Sequence, residues 1–392
     1  MPTHVGPNIS GEENLVFGYN LSDQKNSYLG EPTTNLANNT PLYGGWPSSY
    51  TLIDSATKTF DFTTSSVEWG GVAAWTTFYY NVSEYTGQYV TISAVVESFD
   101  ESSGVFSFMW IGQTVDDQVY LGYSPEQDRN TKTTKTRERI SWSGVIGTGG
   151  KVGITIWMNN GTNGPSGSVK VRFSNVQVEL KSHPTTFVNG TRSTTQGLLD
   201  LTKNSTINLT NVSFDSNSQM TFDGTNDGIN LGVSSVFNRF TGEFTIDTWV
   251  RRSNLGTTWG NIIGDYYTNT TGSPLEWQIM MANNGQLFVY NVTYGYVINP
   301  IASGFGPNTW VNVVLSRIGS TLSLYANSNL ISSVTNTTTF GSATGNLRIG
   351  IDGDGISEPF TGDISSVKIY NRGLSSSEVL NNYNNTKRKY GI

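Results

Sequence analysis

Phe360-Thr361-Gly362-Asp363-Ile364, continuing to Ile369-Tyr370-Asn371-Arg372-Gly373-Leu374-Ser375 and then Glu378, is the densest run of local signals in the chain. Residues 367–370 read as a strand that closes in a Tyr-Asn-Arg turn. Ser375-Ser376-Ser377-Glu378 is a capping box, in which the Ser375 hydroxyl and the Glu378 carboxylate satisfy opposite orphan amides of a starting helix. Val379, Leu380 and Tyr383 give that helix its apolar side. The basic run Lys387-Arg388-Lys389 follows, where cations complement a helix C-terminus.

Upstream the pattern is alternation, not helix. Residues 89–97, YVTISAVVE, put Val90, Ile92, Ala94 and Val96 on one face. Val152, Ile154, Ile156 and Met158 alternate in the same way and end at Asn159-Asn160-Gly161. Val169, Val171 and Phe173 point one way, and Val176, Val178 and Leu180 resume in the opposite phase, so a bulge is expected near Ser174-Asn175. The aperiodic stretch 182–196 reads as a linker. Beyond it, strands are expected at 220–222, 244–250, 287–292, 311–315, 322–325, 347–351 and 367–370, the close spacing of a second sandwich. The fold class is therefore all-β: two β-sandwich domains and a short C-terminal helix.

Composition agrees and narrows the function. Aromatics reach 12% against 14% charged residues, enough apolar surface to offset chain entropy. A net charge of −7 lacks the basic footprint of a nucleic-acid binder. With no cysteine, folding in a reducing cytosol or reliance on core size alone is expected. The first residues have no apolar signal region and no segment approaches a membrane span, so membrane insertion is not expected. The two histidines, His4 and His183, offer neither a nucleophilic triad nor a zinc site.

Three stretches carry a resemblance: residues 220–227 (MTFDGTND), 244–250 (FTIDTWV) and 310–313 (WVNV) are similar to successive strands of the concanavalin A-like, laminin G-like domains. The closing run from Phe360 to Glu378 matches that family most strongly, and the resemblance covers roughly residues 197–392. Asn14-Leu15-Val16-Phe17-Gly18-Tyr19-Asn20 and Asn26-Ser27-Tyr28-Leu29-Gly30 resemble the family's opening strand and turn, and 194–201 its next segment. Residues 46–181, with the ending 176–180 and 187–193, resemble the jelly-roll, carbohydrate-binding-module type of phage fibre proteins. The expected organisation is an N-terminal arm over 1–11, a first strand and turn over 12–45, an inserted jelly roll over 46–181, a linker over 182–196 and the lectin-like domain over 197–392. A free N-terminal arm is the alternative to insertion.

The resemblance implies a non-enzymatic virion protein on a tailed-phage surface, made in the host cytoplasm, as a head decoration or fibre. Its expected partners are capsid or tail proteins, further copies of itself (a trimer favoured) and host-surface glycans. A bacterial surface or secreted adhesin is the alternative, and a glycoside hydrolase a further one, since two carboxylates suffice for that chemistry. Glu97-Ser98-Phe99-Asp100-Glu101 is similar to a catalytic strand of such enzymes, but alternation puts Glu97 and Asp100 on opposite faces. No cofactor is required; calcium is the one ion with candidate ligands, at Asp352, Asp354 and Asp363 around the Asp-Gly-Asp-Gly loop. Trp249 and Trp310 read as core. Trp259, Tyr266, Tyr267, Trp277, Tyr294 and Tyr296 lie in or beside Gly-, Thr- and Asn-rich loops and are the candidates to stack on sugar faces, or else to cover a protein contact.

Overall fold

The computed structural model describes residues 14–23, 25–38, 42–44, 49–65, 73–101, 106–114, 129–132, 137–159, 168–210, 212–216, 219–232, 240–254, 258–266, 276–341 and 346–392. The expected N-terminal arm lies outside the described residues. The fold is all-β, and the chain divides into two compact units, Met1–Glu31 with Thr194–Ile392, and Pro32–Ser193. The second unit is inserted into the first. Among the described residues no helix is long and apolar enough to cross a membrane.

The discontinuous unit is a sandwich of an eight-stranded and a seven-stranded sheet, all pairs antiparallel. At the centre of the larger sheet, Thr361–Tyr370 and Trp310–Ile318 flank Phe244–Arg252. The smaller sheet runs Asn208–Thr210, Gly228–Gly232, Leu347–Ile349, Trp259–Gly264, Trp277–Ala282, Gln286–Asn291, Gly295–Ala302. Ile246, Val250, Val313 and Leu315 from one sheet meet Trp277, Ile279, Leu287 and Val289 from the other in one core.

Leu15–Asn20 belongs to this core although the 162 residues of Pro32–Ser193 come between it and Thr194. It pairs with residues 366–370 of Thr361–Tyr370, and Phe17 and Tyr19 are fully buried. The Gly18 carbonyl accepts the Leu201 N–H, and the Gly18 N–H donates to Asp200 Oδ1 at 3.0 Å. The segment after the insertion is thus clipped directly onto the segment before it.

The helix Ser376–Thr386 begins at the expected box: Ser375 accepts from the Glu378 N–H, and Glu378 Oε2 accepts from the Ser375 N–H at 2.9 Å. Val379 is buried with Val314, Tyr325, Tyr370 and Leu374, so the helix closes the outer face of the eight-stranded sheet. Trp249 is buried there, stacked on Tyr390 at 4.0 Å and Tyr383 at 5.8 Å, with its Nε1 donating to Thr386. It is buried as expected, but under the helix and not between the sheets. Trp310 is half-buried beside Tyr390 and Arg251. This is the one α-helix among the described residues, so none covers the seven-stranded sheet.

The inserted unit packs two five-stranded antiparallel sheets around Val90, Ile92, Ile111, Ile154, Val171 and Phe173. The expected bulge is present: the register shifts between Ser174 and Gln177, and Asn175 adopts φ 53°. The stretch read as a linker is different. Thr185 donates through its N–H and hydroxyl to buried Glu179, Val188 donates to Gln177, and Thr191–Arg192 pairs with Thr33–Thr34. Side-chain hydrogen bonds order it, which leaves no hydrophobic period to detect.

Candidate functional site

In the strand Gln286–Asn291, Leu287 and Val289 enter the core, so Phe288 and Tyr290 face outward. The partner strand Trp277–Ala282 sends Trp277, Ile279 and Met281 inward and leaves Gln278 and Met280 outside. Register sets Met280 opposite Phe288, Gln278 opposite Tyr290, and Tyr290 opposite Tyr296.

These positions assemble a continuous aromatic strip across the seven-stranded sheet. Trp259 meets Phe288 at 4.6 Å, Phe288 meets Tyr296 at 5.2 Å, Tyr296 meets Tyr290 at 5.7 Å and Tyr290 meets Tyr266 at 5.5 Å. Every step is edge-to-face, with interplanar angles of 78–85°. Such pairs each add about 0.5–1.5 kcal/mol beyond their buried area, so the rings brace one another. Phe288 and Met280 are buried although they face outward, Phe288 between the Trp259 and Tyr296 rings. Tyr296 remains 50% exposed and Tyr294, in the adjoining turn, 61%.

Along the same register the row turns polar: Tyr290, Gln278, Gly264, Arg348, Asn230 and Asn208 are successive cross-strand partners. Gly264 is buried, and a Cβ there would lie 2.5 Å from the Trp277 carbonyl, so no side chain fits between Arg348 and Gln278. Gln278 is buried, and its Oε1 has no hydrogen-bond partner. Rings at one end and amide and guanidinium groups at the other form a surface with one apolar and one hydrogen-bonding half.

An acidic corner borders Tyr266. Asp352 is fully buried, neither carboxylate oxygen has a hydrogen-bond partner, and burial reinforced by Asp354 and Glu358 pushes it up to about 9. It is therefore a neutral acid at pH 7. Burial also raises Glu358, against the pull of Arg252. The Tyr266 phenol is raised by burial, then by Tyr290, Asp352, Glu276 and Glu358.

The sequence-derived candidates divide clearly. Trp259, Tyr266 and Tyr296 stand in the strip and Tyr294 at its rim, whereas Tyr267 lies outside the described residues. Trp277 is not available to a ligand: it shares the inward phase of Ile279 and Met281 and packs fully buried against Phe240 and Phe340. Phe288 and Tyr290 were missed, although the period-two pattern of residues 286–291 places them outward. The three aspartates do not converge. Asp363 is bound by Arg251 at 2.7 Å and Thr221 at 3.0 Å, and Asp354 caps its own loop through the Ile356 and Ser357 N–H groups. Among the described residues no group of three or more His, Cys, Asp or Glu side chains is placed to hold a metal ion.

Glu97 and Asp100 also differ from expectation. A register shift between Val96 and Ser98 flips the strand phase, so Phe99 joins the core and both acids lie outside it. Glu97 pairs with Arg137 at 2.6 Å and accepts from Ser174; those bonds hold its carboxyl below the usual range. A carboxylate kept ionised in this way is a poor general acid.

Residues 223–380 match the family described as the concanavalin A-like lectin/glucanases superfamily. No curated protein sequence matches the chain. Among solved structures, Trypanosoma rangeli sialidase is similar at 18% identity and TM-score 0.39, over 49% of this chain and 31% of that one. The receptor-binding domain of botulinum neurotoxin D is similar at 16% identity and TM-score 0.38, over 49% of this chain and 51% of that one. The chain thus spans about a third to a half of those structures. Identity and superposition at this level say nothing of ligand or activity.

Proposed function

We propose, from the premise that residues 223–380 are a domain of the concanavalin A-like lectin/glucanases superfamily, that this protein is a non-enzymatic glycan-binding module. The observation that carries the reading is the Trp259–Phe288–Tyr296–Tyr290–Tyr266 strip, on the sheet that no described helix covers. Aromatic faces stack on the C–H faces of pyranose rings, and the half-buried Arg348 and Asn230 of the polar row supply hydroxyl partners. Strands lie about 4.8 Å apart, so four strands present a track roughly three pyranose units long.

Tyr296→Ala and Trp259→Ala are each expected to weaken retention on a panel of immobilised polysaccharides by roughly tenfold, about 1.4 kcal/mol. Retention unchanged in both variants contradicts the reading. The same polysaccharides incubated with the protein should release no new reducing ends, and Glu97→Gln should alter nothing. Sugar release abolished by that substitution would make the protein a hydrolase.

The wider role we assign is display on a tailed-phage particle, where several copies convert weak sugar contacts into avidity of about 10²–10⁴-fold when geometry permits. What supports it is the resemblance of residues 46–181 to fibre modules; a bacterial surface adhesin is the competing role. Residues 1–11 are the candidate anchor and a trimer the candidate assembly. Mass spectrometry of purified particles decides between the two roles: the chain is present in stoichiometric amount, or the adhesin reading replaces this one.

A further inference from the structure

A cleft that shares no lining residue with the aromatic strip opens at one end of the eight-stranded sheet. It encloses about 300 Å³ and is lined by Thr221, Asp223, Arg251, Ser253, Asn308 and Asp363 around the backbone of Thr361-Gly362. We propose that this cleft is a separate saccharide subsite that takes one neutral pyranose unit. The proposal rests on the glycan-binding reading for its ligand class, but on none of the strip's residues.

Size limits the ligand first. Small-molecule sites run from roughly 300 to 1,000 Å³, so this cleft suits one sugar ring and not an extended chain. The floor is built for close approach. Gly362 adopts φ 136°, and a Cβ there would lie 2.1 Å from the Arg251 carbonyl; at Gly224, with φ 81°, it would lie 2.1 Å from Thr361 Oγ1. Only glycine fits at either position.

The polar groups are fixed in place yet incompletely used. Asp363 is 4% exposed, and its two oxygens are held by Arg251 Nε at 2.7 Å and the Thr221 hydroxyl at 3.0 Å. Arg251 lies over the Trp310 ring at 5.2 Å and spends only Nε on Asp363, so its terminal nitrogens have no acceptor among the described residues. Asp223 Oδ1 accepts the Thr225 N–H at 2.7 Å, which leaves Oδ2 for a ligand. Asn308 is exposed at φ 60°, in the left-handed region; its backbone N–H bonds the Arg252 carbonyl and its amide is unengaged. Thr361 Oγ1 is buried with no hydrogen-bond partner. An oriented guanidinium edge, a free carboxylate oxygen and a free amide are what vicinal hydroxyl groups require.

Charge selects among sugars. One guanidinium faces two carboxylates, so the lining carries a net charge of −1 (+1 − 2). That balance disfavours uronic and sialic acids and admits neutral rings whose hydroxyls donate to Asp223 and accept from Arg251.

The test is a titration of the full chain with methyl α-D-mannopyranoside, methyl β-D-galactopyranoside, methyl β-D-glucopyranoside and D-glucuronate, followed by ligand-observed NMR and calorimetry. At least one neutral glycoside should bind saturably in the millimolar range. Asn308→Ala and Asp223→Ala, both at exposed positions, should each weaken it tenfold or more, in the wild-type chain and in a Tyr296→Ala background alike. Thermal melting verifies that the variants are folded, and Arg251→Lys, which retains the charge beside Asp363 but loses the fork, should lose binding as well. Three results overturn the proposal: no saturable neutral glycoside, loss with Tyr296→Ala but not with Asn308→Ala, or glucuronate as the tightest ligand. Retention of polysaccharide by the wild-type protein alongside any of these would sink this subsite alone; absence of both would sink the glycan-binding reading with it.

Discussion

A chain that begins at Thr194 is expected to lose cooperative unfolding and to aggregate, although it contains the whole of residues 223–380. Without Leu15–Asn20, residues 366–370 of the central strand have no partner on one side, and an unpaired edge invites association. The core also loses Phe17, Tyr19 and Leu21, each no more than 1% exposed. A single Phe17→Ala in the full chain should already cost about 3–5 kcal/mol, a large share of the roughly 5–15 kcal/mol that holds a domain together. Calorimetry should show the transition of the discontinuous unit move down while that of Pro32–Ser193 stays in place. Joining residues 12–31 to Thr194 through a short linker should restore a soluble, cooperatively melting domain. Equal melting temperatures for the chain from Thr194 and for the restored one would mean that the N-terminal strand is dispensable.

Asp352→Asn is expected to stabilise the protein. The native carboxyl is held to about 9 by burial first, then by Asp354 and Glu358, against an ordinary value of 3.8. Between those values the native state binds a proton that the unfolded state has released, so stability falls as pH rises through the window and levels off above about 9. Asparagine has nearly the same shape and no proton to hold. At pH 8 it should raise stability by an amount on the order of a few kcal/mol, each worth roughly 2–4 °C for a unit of this size. Near pH 4 the two proteins should converge. A variant that melts lower at pH 8, together with a wild-type melting point raised by millimolar calcium, would instead make Asp352 a cation ligand.

How legible the fold was depends on which physics fixes each element. The Phe360-to-Glu378 run carries strand, turn and capping box within about twenty residues, and local chemistry settles all three. Alternation in residues 89–97 and 152–158 decides which side chains enter the inserted core. Residues 182–192 were opaque because Glu179, Gln177 and Asn35 order them through hydrogen bonds, and such bonds leave no period. The bulge at Glu97 was invisible for a related reason: one unpaired residue reverses the phase without any Gly or Pro to mark it.

The site was half legible. Trp259, Tyr266 and Tyr296 were found from loop-like surroundings, but the same criterion picked Trp277, whose neighbours in the strand direct it inward. The criterion that works is phase. Rings alternating with core residues, such as Phe288 and Tyr290, are outward, and only the pairing of four strands shows that they form one strip. The 300 Å³ cleft was beyond reach, because Asp223, Arg251, Asn308 and Asp363 are far apart in the chain and meet only through sheet topology.

The central claim is that the strip across the seven-stranded sheet is a glycan track, and affinity as a function of oligosaccharide length tests it most directly. Calorimetric titration with a series from one to six sugar units, of the polysaccharide best retained, should show Kd falling with each unit up to about three, the number the strand spacing allows, and then levelling. Tyr290→Ala with Tyr296→Ala should flatten that dependence. An affinity independent of length, or a dependence that survives the double substitution, would contradict the account.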